Sequence, residues 1–335
     1  MSGAVRATRA RAAARSAFGD YSLCGFRVRS AVPLPEVLPW SGDDRAPDVT
    51  ISCGSAPPLR DPVGQGGPAQ VARDGTCRLQ FDSIGHFLMA GGREVIVDPV
   101  REIDSPELHA ILLGPVLGVL CHQRRLFPLH AACVRIGDGA IALAGRTGAG
   151  KSTLAAALAR RGHSLVADDI CVVESLDCGR ALVRPGFPRL KLWNDALQAL
   201  GMSSDGMARA TLGKHKYHFY EPQGFDPSPV ALRGIYFLDR SAATRRQDIR
   251  PEHGAHAVTA VSNEIYRRPI GFWLGHKVAL LTDALRLAAL VPVFRVPVRP
   301  DLTQLGRTAE RIEAHLLALR ADRPEAVPAP EVARR

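Results

Sequence analysis

The segment Gly145-Arg-Thr-Gly-Ala-Gly-Lys-Ser152 constrains this chain more than any other stretch. It fills the pattern G-x-x-x-x-G-K-S/T. It lies between an apolar run, Ala140 to Ala144, and a helix-forming run, Thr153 to Arg161, that Gly162 stops. Strand, glycine-rich turn and helix in that order make an anion site for physical reasons. Glycines let successive backbone N–H groups turn inward without a Cβ clash. The helix adds its positive N-terminal end and free N–H groups. Lys151 can reach the outer phosphates of a triphosphate, and the Ser152 hydroxyl can ligate Mg²⁺. Gly145, Arg146, Thr147, Gly148, Ala149, Gly150, Lys151, Ser152 and Thr153 are therefore the expected nucleotide-binding residues. The motif alone does not separate a kinase from an NTPase or a passive switch.

A pair of acids narrows the choice. Ala131 to Ile136 and Ala140 to Ala144 read as two buried strands joined by a Gly137-Asp138-Gly139 turn. Ser164 to Val166 and Cys171 to Glu174 read as strands flanking Asp168-Asp169, which begins 17 residues after Lys151. Adjacent acids can simply cap a turn. If the preceding strand pairs beside the loop strand, however, its carboxyl end brings them to the phosphates. One carboxylate then faces the metal and the other an incoming hydroxyl, as a general base.

His130, the Gly-x-x-Gly-x-Gly-Lys-Ser loop and Arg161-Gly-His-Ser-Leu-Val-Ala-Asp-Asp169, in that order, resemble the catalytic domain of the HPr kinase/phosphorylase family. The resemblance covers residues 129–174 best and 175–320 more loosely. Leu34-Pro-Glu and Pro47-Asp-Val-Thr-Ile are closer to HPr-kinase-like proteins of bacterial peptide-tailoring clusters, lasso-peptide clusters included. The resemblance implies an α/β P-loop kinase core shared with phosphoenolpyruvate carboxykinases, with ATP and Mg²⁺ as cofactors. It implies transfer of the γ-phosphoryl to a serine of a small protein or ribosomally made precursor peptide, with a homo-oligomer allowed for. By the same resemblance, Asp168 is the catalytic base, Asp169 joins Ser152 at the metal, and His130 tunes the base. Arg233 would join Lys151 in catalysis, as the arginine of a Glu-x-Arg-Gly signature. Here that run is Ala231-Leu-Arg233-Gly234, which lacks the acid and puts reverse phosphorylase activity in doubt.

The remaining chain fills in around this core. Residues 21–103 carry short β-like runs at Phe26 to Arg29, Asp48 to Ser52, Cys77 to Phe81, His86 to Met89 and Val95 to Val97. They read as a small antiparallel N-terminal module. The kinase domain is expected over 104–322, opening with an apolar helix from Asp104 to Leu126 that Gly114-Pro115 can bend. Ala231 to Leu238 and Val293 to Val296 read as strands, the second at an edge because prolines bracket it. Leu302 to Leu319 reads as a closing amphipathic helix. Arg184, Arg189, Lys191, Lys214 and Lys216 are candidates for gripping phosphate or an acidic peptide, and Tyr217, Phe219 and Tyr220 for stacking on adenine.

The formal charge of +10 first suggests a polyanion partner. Four units of it belong to Arg6, Arg9, Arg11 and Arg15 in a segment without acids. The stretches 1–20 and 323–335 read as disordered tails. No helix-turn-helix, stacking stripe or zinc pattern supports nucleic-acid binding. Seven cysteines, odd in number and without a Cys-x-x-Cys pair, fit a reducing, cytoplasmic compartment. The longest apolar run, Ala110 to Cys121, is too short to span a membrane. Two alternatives stay open: a small-molecule kinase whose acceptor pocket is built by residues 180–221, and a non-catalytic nucleotide-dependent interaction module, which would need no base.

Overall fold

The structure is a computed structural model that describes residues 18–174, 176–210, 215–221, 223–240, 248–299 and 301–321. Lys214 and nearly all of both expected tails lie outside the described residues. The chain is mixed α/β, built on two large sheets.

The first sheet contains β1 (Gly19–Leu23), β2 (Phe26–Ser30), β3 (Val49–Cys53), β4 (Gly64–Gly66), β5 (Ala69–Val71), β6 (Cys77–Phe81), β7 (Gly85–Ala90) and β8 (Glu94–Pro99). Its order is β1-β2-β3-β8-β7-β6-β5-β4. It is not wholly antiparallel, since β3 runs parallel to both β2 and β8. Alternation drives it: along β7, Gly85, Phe87 and Met89 are buried while His86, Leu88 and Ala90 are half-buried.

The apolar helix follows in three pieces. They are α1 (Pro106–Ile111), a π-helical turn (Leu112–Val116) and α2 (Leu117–Gln123). Pro115 has no N–H to give its own turn, and the wider turn falls at Gly114-Pro115. This helix packs into the core of the first sheet, with Leu108, Leu113, Val116 and Cys121 against Val28, Leu79 and Val97. The expected boundary at 103/104 is therefore not a seam between two cores. The same cluster takes in Ile170, Val172 and Phe187 from beyond the acid pair.

The second sheet begins with β9 (Phe127–Leu129), β10 (Ala132–Ile136) and β11 (Gly139–Ala144). Then come α3 (Lys151–Ala159), β12 (Ser164–Ala167), β13 (Cys171–Glu174) and β14 (Leu182–Arg184). A separate ribbon pairs β15 (Arg189–Trp193) with β16 (Lys216–Tyr220), on either side of α4 (Asn194–Ala199). The long β17 (Val230–Asp239) leads to β18 (Arg250–Glu252), α5 (Gly254–Asn263), α6 (Arg268–Trp273), α7 (Lys277–Leu290), β19 (Val293–Pro297) and α8 (Leu305–Ala321). The order is β12-β10-β11-β17-β14-β13-β9, with β19 beside β17 and β18 beside β19. β19 is thus an interior strand, not the expected edge. Pro292 precedes the strand and Pro297 is its last residue, opposite Asp239, so they cost its ladder little.

Every residue of β11 is buried, as a central strand covered on both faces requires. β12 does not touch β11. Both pair antiparallel with β10, so they point the same way, and their carboxyl ends meet the loop from one side of the sheet.

Candidate functional site

The loop after β11 turns on glycines. Gly145, Gly148 and Gly150 hold φ values of 128°, 84° and 101°. At Gly145 a Cβ would stand 2.8 Å from the Leu238 carbonyl oxygen, so only glycine fits between the two parallel strands. Lys151 opens α3 and is buried; its Nζ donates to the Gly145 carbonyl at 2.6 Å. Burial pulls its ammonium below the ordinary lysine range, while the Glu264, Asp169 and Asp168 carboxylates pull back. Arg240, just past β17, donates to the Gly148 carbonyl at 3.0 Å and ties that strand end to the loop.

The two acids face different ways. Asp168 is 8% exposed. Its Oδ1 accepts from the Ser152 hydroxyl at 2.8 Å and its Oδ2 from the Lys191 backbone N–H at 3.1 Å. Burial and the charge of Asp169 raise its carboxyl above the ordinary range. Asp169 adopts φ 70°, which a non-glycine residue rarely does, and its side chain takes Lys191 and His130 as partners. Its Oδ2 lies 3.0 Å from the Lys191 ammonium. The His130 Nδ1 donates to its backbone carbonyl at 3.0 Å and lies 3.3 Å from its Oδ1. Both of those partners are acceptors, so Nδ1 carries the proton. Burial would raise the Asp169 carboxyl, but the Lys191 charge and the His130 hydrogen bond outweigh it and hold the group well below the carboxylate range. His130 therefore sits beside Asp169 and not, as expected, beside Asp168.

A cavity of about 570 Å³ opens above the loop. Thr147 to Thr153, both acids and His130 line it, while Gly145, which is buried, and Arg146, which is exposed, do not. Of the basic candidates, Lys191 and Lys216 reach it. Arg184 pairs instead with Glu174, at 2.5 Å, and with the Cys24 carbonyl. Arg189 is buried and bonded to Glu36 at 3.1 Å.

Arg233, expected in catalysis, does not line the cavity. It is half-exposed, pairs with Asp138 at 3.5 Å and packs over Gly139, at the amino ends of β11 and β17. Parallel strands put that end opposite the loop, so the residue that reaches the loop from β17 is Arg240. Tyr217 and Phe219 are half-buried against the core under α3, and Tyr220 is exposed outside the cavity.

Several lining residues escaped the sequence reading. Glu264 comes in by pairing of the chain beside β9: Leu129 bridges Ile265, and the His130 N–H donates to the Glu264 carbonyl at 2.7 Å. Burial raises its carboxyl, against Lys151, His130 and the Gly145 N–H. The Tyr266 ring lies 5.7 Å from the His130 ring, tilted 46° to it. Trp193, Arg267 and Arg299 complete the rim. None of them belongs to a local motif; pairing across the fold brings them in. Among the described residues, no helix is long and apolar enough to cross a membrane.

No family model matches the chain, and no curated protein does. Among solved structures, the Hpr(Ser) kinase/phosphatase from Coxiella burnetii aligns over 58% of this chain and 93% of its own, at 15% identity and a TM-score of 0.33. At that score a likeness carries no conclusion about chemistry, and what the site can do is read from its own residues.

Proposed function

We propose that this chain is a kinase that passes the γ-phosphoryl of ATP to a hydroxyl, with a serine of a small protein or ribosomally made peptide as acceptor. The observation that supports it best is the Ser152–Asp168 contact of 2.8 Å at the start of α3, with Asp169 turned to His130 next to it. A nucleotide switch needs the first contact but not a second, separately held carboxylate. The serine acceptor rests on the sequence resemblance described above.

The expected roles of the two acids exchange in this reading. Asp168 Oδ1 accepts from the hydroxyl of Ser152, the loop residue expected at the metal, which suits a metal-side acid. Ser152 Oγ and Asp168 Oδ1 are hard oxygen donors and fit Mg²⁺. When bound, Mg²⁺ neutralises charge on the β- and γ-oxygens. Asp169 is held ionised beside Lys191 and His130, with about a quarter of its side chain exposed to the cavity. A carboxylate held this low is a weak base, so it takes the proton late, once the acceptor oxygen has largely bonded to the γ-phosphorus and the bond to the ADP oxygen has broken. Lys151 and the loop N–H groups hold the phosphates in line, so catalysis is mainly positioning and electrostatics.

Two substitutions test the exchange by calorimetry and γ-labelled transfer. Asp169→Asn should leave ATP·Mg²⁺ affinity within a few-fold and cut transfer by about 100-fold or more. Asp168→Asn should weaken ATP only when Mg²⁺ is present. Full transfer by Asp169→Asn would sink the base assignment, and no ATP binding by the wild type would sink the kinase reading. One observation also favours a small-molecule acceptor: Lys191, Trp193, Asp195 and Lys216, all from residues 180–221, wall the cavity. Labelling of free hydroxyl compounds but of no protein or peptide would select it.

A further inference from the structure

The cavity has two ends. At one, His130, Glu264 and Tyr266 gather around Asp169. At the other, Trp193 stands with Asp195, Ala196, Arg299 and Leu302. The ribbon β15–β16 spans them. Arg189, Lys191 and Trp193 alternate with Leu190 and Leu192, which are buried in the core under α3. Lys191 is fixed at the acid pair by its backbone and its ammonium. Trp193 follows two residues on, on the same face, about 7 Å farther along the strand. A second cavity, which shares Asp195 and Leu302 with the first, is lined by Ala157 and Arg160 of α3.

Trp193 is unusual for a tryptophan in so well packed a region, being 42% exposed. Its ring has the Lys216 ammonium 5.8 Å from its centroid, and it lines the cavity. The other tryptophans have structural partners: Trp40 Nε1 donates to the Asp43 carbonyl, and Trp273 packs against Gly64 and Gly66.

We infer that Trp193 is the stacking platform for the purine base of the nucleotide. The inference rests on the proposed ATP site and adds to it the residue that reads the nucleoside. A triphosphate whose outer end lies at Ser152 and the acids runs along the start of α3, and its base emerges at the Trp193 end. A π-face binds any flat base without reading its edge, so the platform accepts guanine as well as adenine. Tyr217 and Phe219, which the sequence offered for this task, are half-buried against the core and do not line the cavity.

Calorimetry on the full chain separates base from phosphate by comparing ADP with inorganic tripolyphosphate. Trp193→Leu should weaken ADP by about 5- to 100-fold and leave tripolyphosphate within about twofold, with Trp193→Phe restoring most of the loss. ADP should quench wild-type tryptophan fluorescence, and this quench should vanish in Trp193→Phe. An unchanged thermal melt would show that the exposed substitution leaves the fold intact. Equal weakening of both ligands, or none of either, overturns the platform while leaving the ATP site standing. Failure of both ligands to bind the wild type overturns the ATP site and the platform with it.

Discussion

Gly145 carries two demands on one residue. Its φ of 128° lies where L side chains are strained, and its missing Cβ makes room for the Leu238 carbonyl 2.8 Å away. Gly148 and Gly150 also have positive φ, but a Cβ there meets nothing within 4 Å. The first glycine is therefore bound to the sheet and the other two to the loop's shape. Gly145→Ala should cost about 1–3 kcal/mol of stability, read by urea unfolding, because backbone must move. Gly148→Ala should cost less, since only its φ is strained. Equal losses would mean that the Leu238 contact adds nothing. At this scale the sequence was informative: the loop, Asp168-Asp169 and His130 all come together. Arg233 did not join them, because an Arg-Gly dipeptide carries no record of which end of a parallel strand it occupies. Glu264 was invisible for a related reason. A lone glutamate becomes a site residue only when Ile265 bridges Leu129.

Elements were legible where they were local. The hairpin turn Gly137-Asp138-Gly139, the strands β12 and β13 and the closing helix follow from patterns within a few residues of each other. Pairing partners were not. β3 looks like any short strand, yet it runs parallel to both neighbours, and β19 takes partners on both sides. The helix from Pro106 to Gln123 shows why element and module boundaries differ. Leu112 to His122 is buried without a break, so no face was left to say which sheet it serves. Its side chains choose the first sheet. Leu113, at 2% exposure beside the π-turn, fills that core. Leu113→Ala should destabilise by about 2–5 kcal/mol in urea unfolding, because a turn already adapted to Pro115 has little room to collapse. A loss below 1 kcal/mol would show that the turn relaxes into the cavity.

Across the whole molecule, one shared core links the first sheet to the acids. Ile170 and Val172, on either side of Cys171 and next to Asp169, belong to the cluster of Val28, Leu79 and Leu113. A polar contact reinforces it. Glu36, from the Leu34-Pro-Glu segment, lies 3.1 Å from the Arg189 guanidinium and 3.3 Å from His109 Nδ1. The Arg189 side chain is 1% exposed, and its charge also faces Asp168 and Asp169. The N-terminal module thus reaches β15 two residues before Lys191. Removing the acid leaves a buried guanidinium with no opposite charge beside it but the site's own carboxylates. Glu36→Ala should therefore cost about 3–5 kcal/mol. The pH dependence gives a second reading of the same contact. Burial would raise the Glu36 carboxyl, but the His109 hydrogen bond and the Arg189 charge bring it down to about 2. A carboxyl lowered on folding contributes stability above its unfolded pKa and loses it as pH falls through its folded one. The contribution, roughly 3 kcal/mol, should be complete above pH of about 4.5 and gone near pH of about 2. Urea unfolding of the wild type and Glu36→Gln across that window should show the variant's stability falling less steeply with acid. Parallel curves would mean that Glu36 is not held by Arg189 in solution.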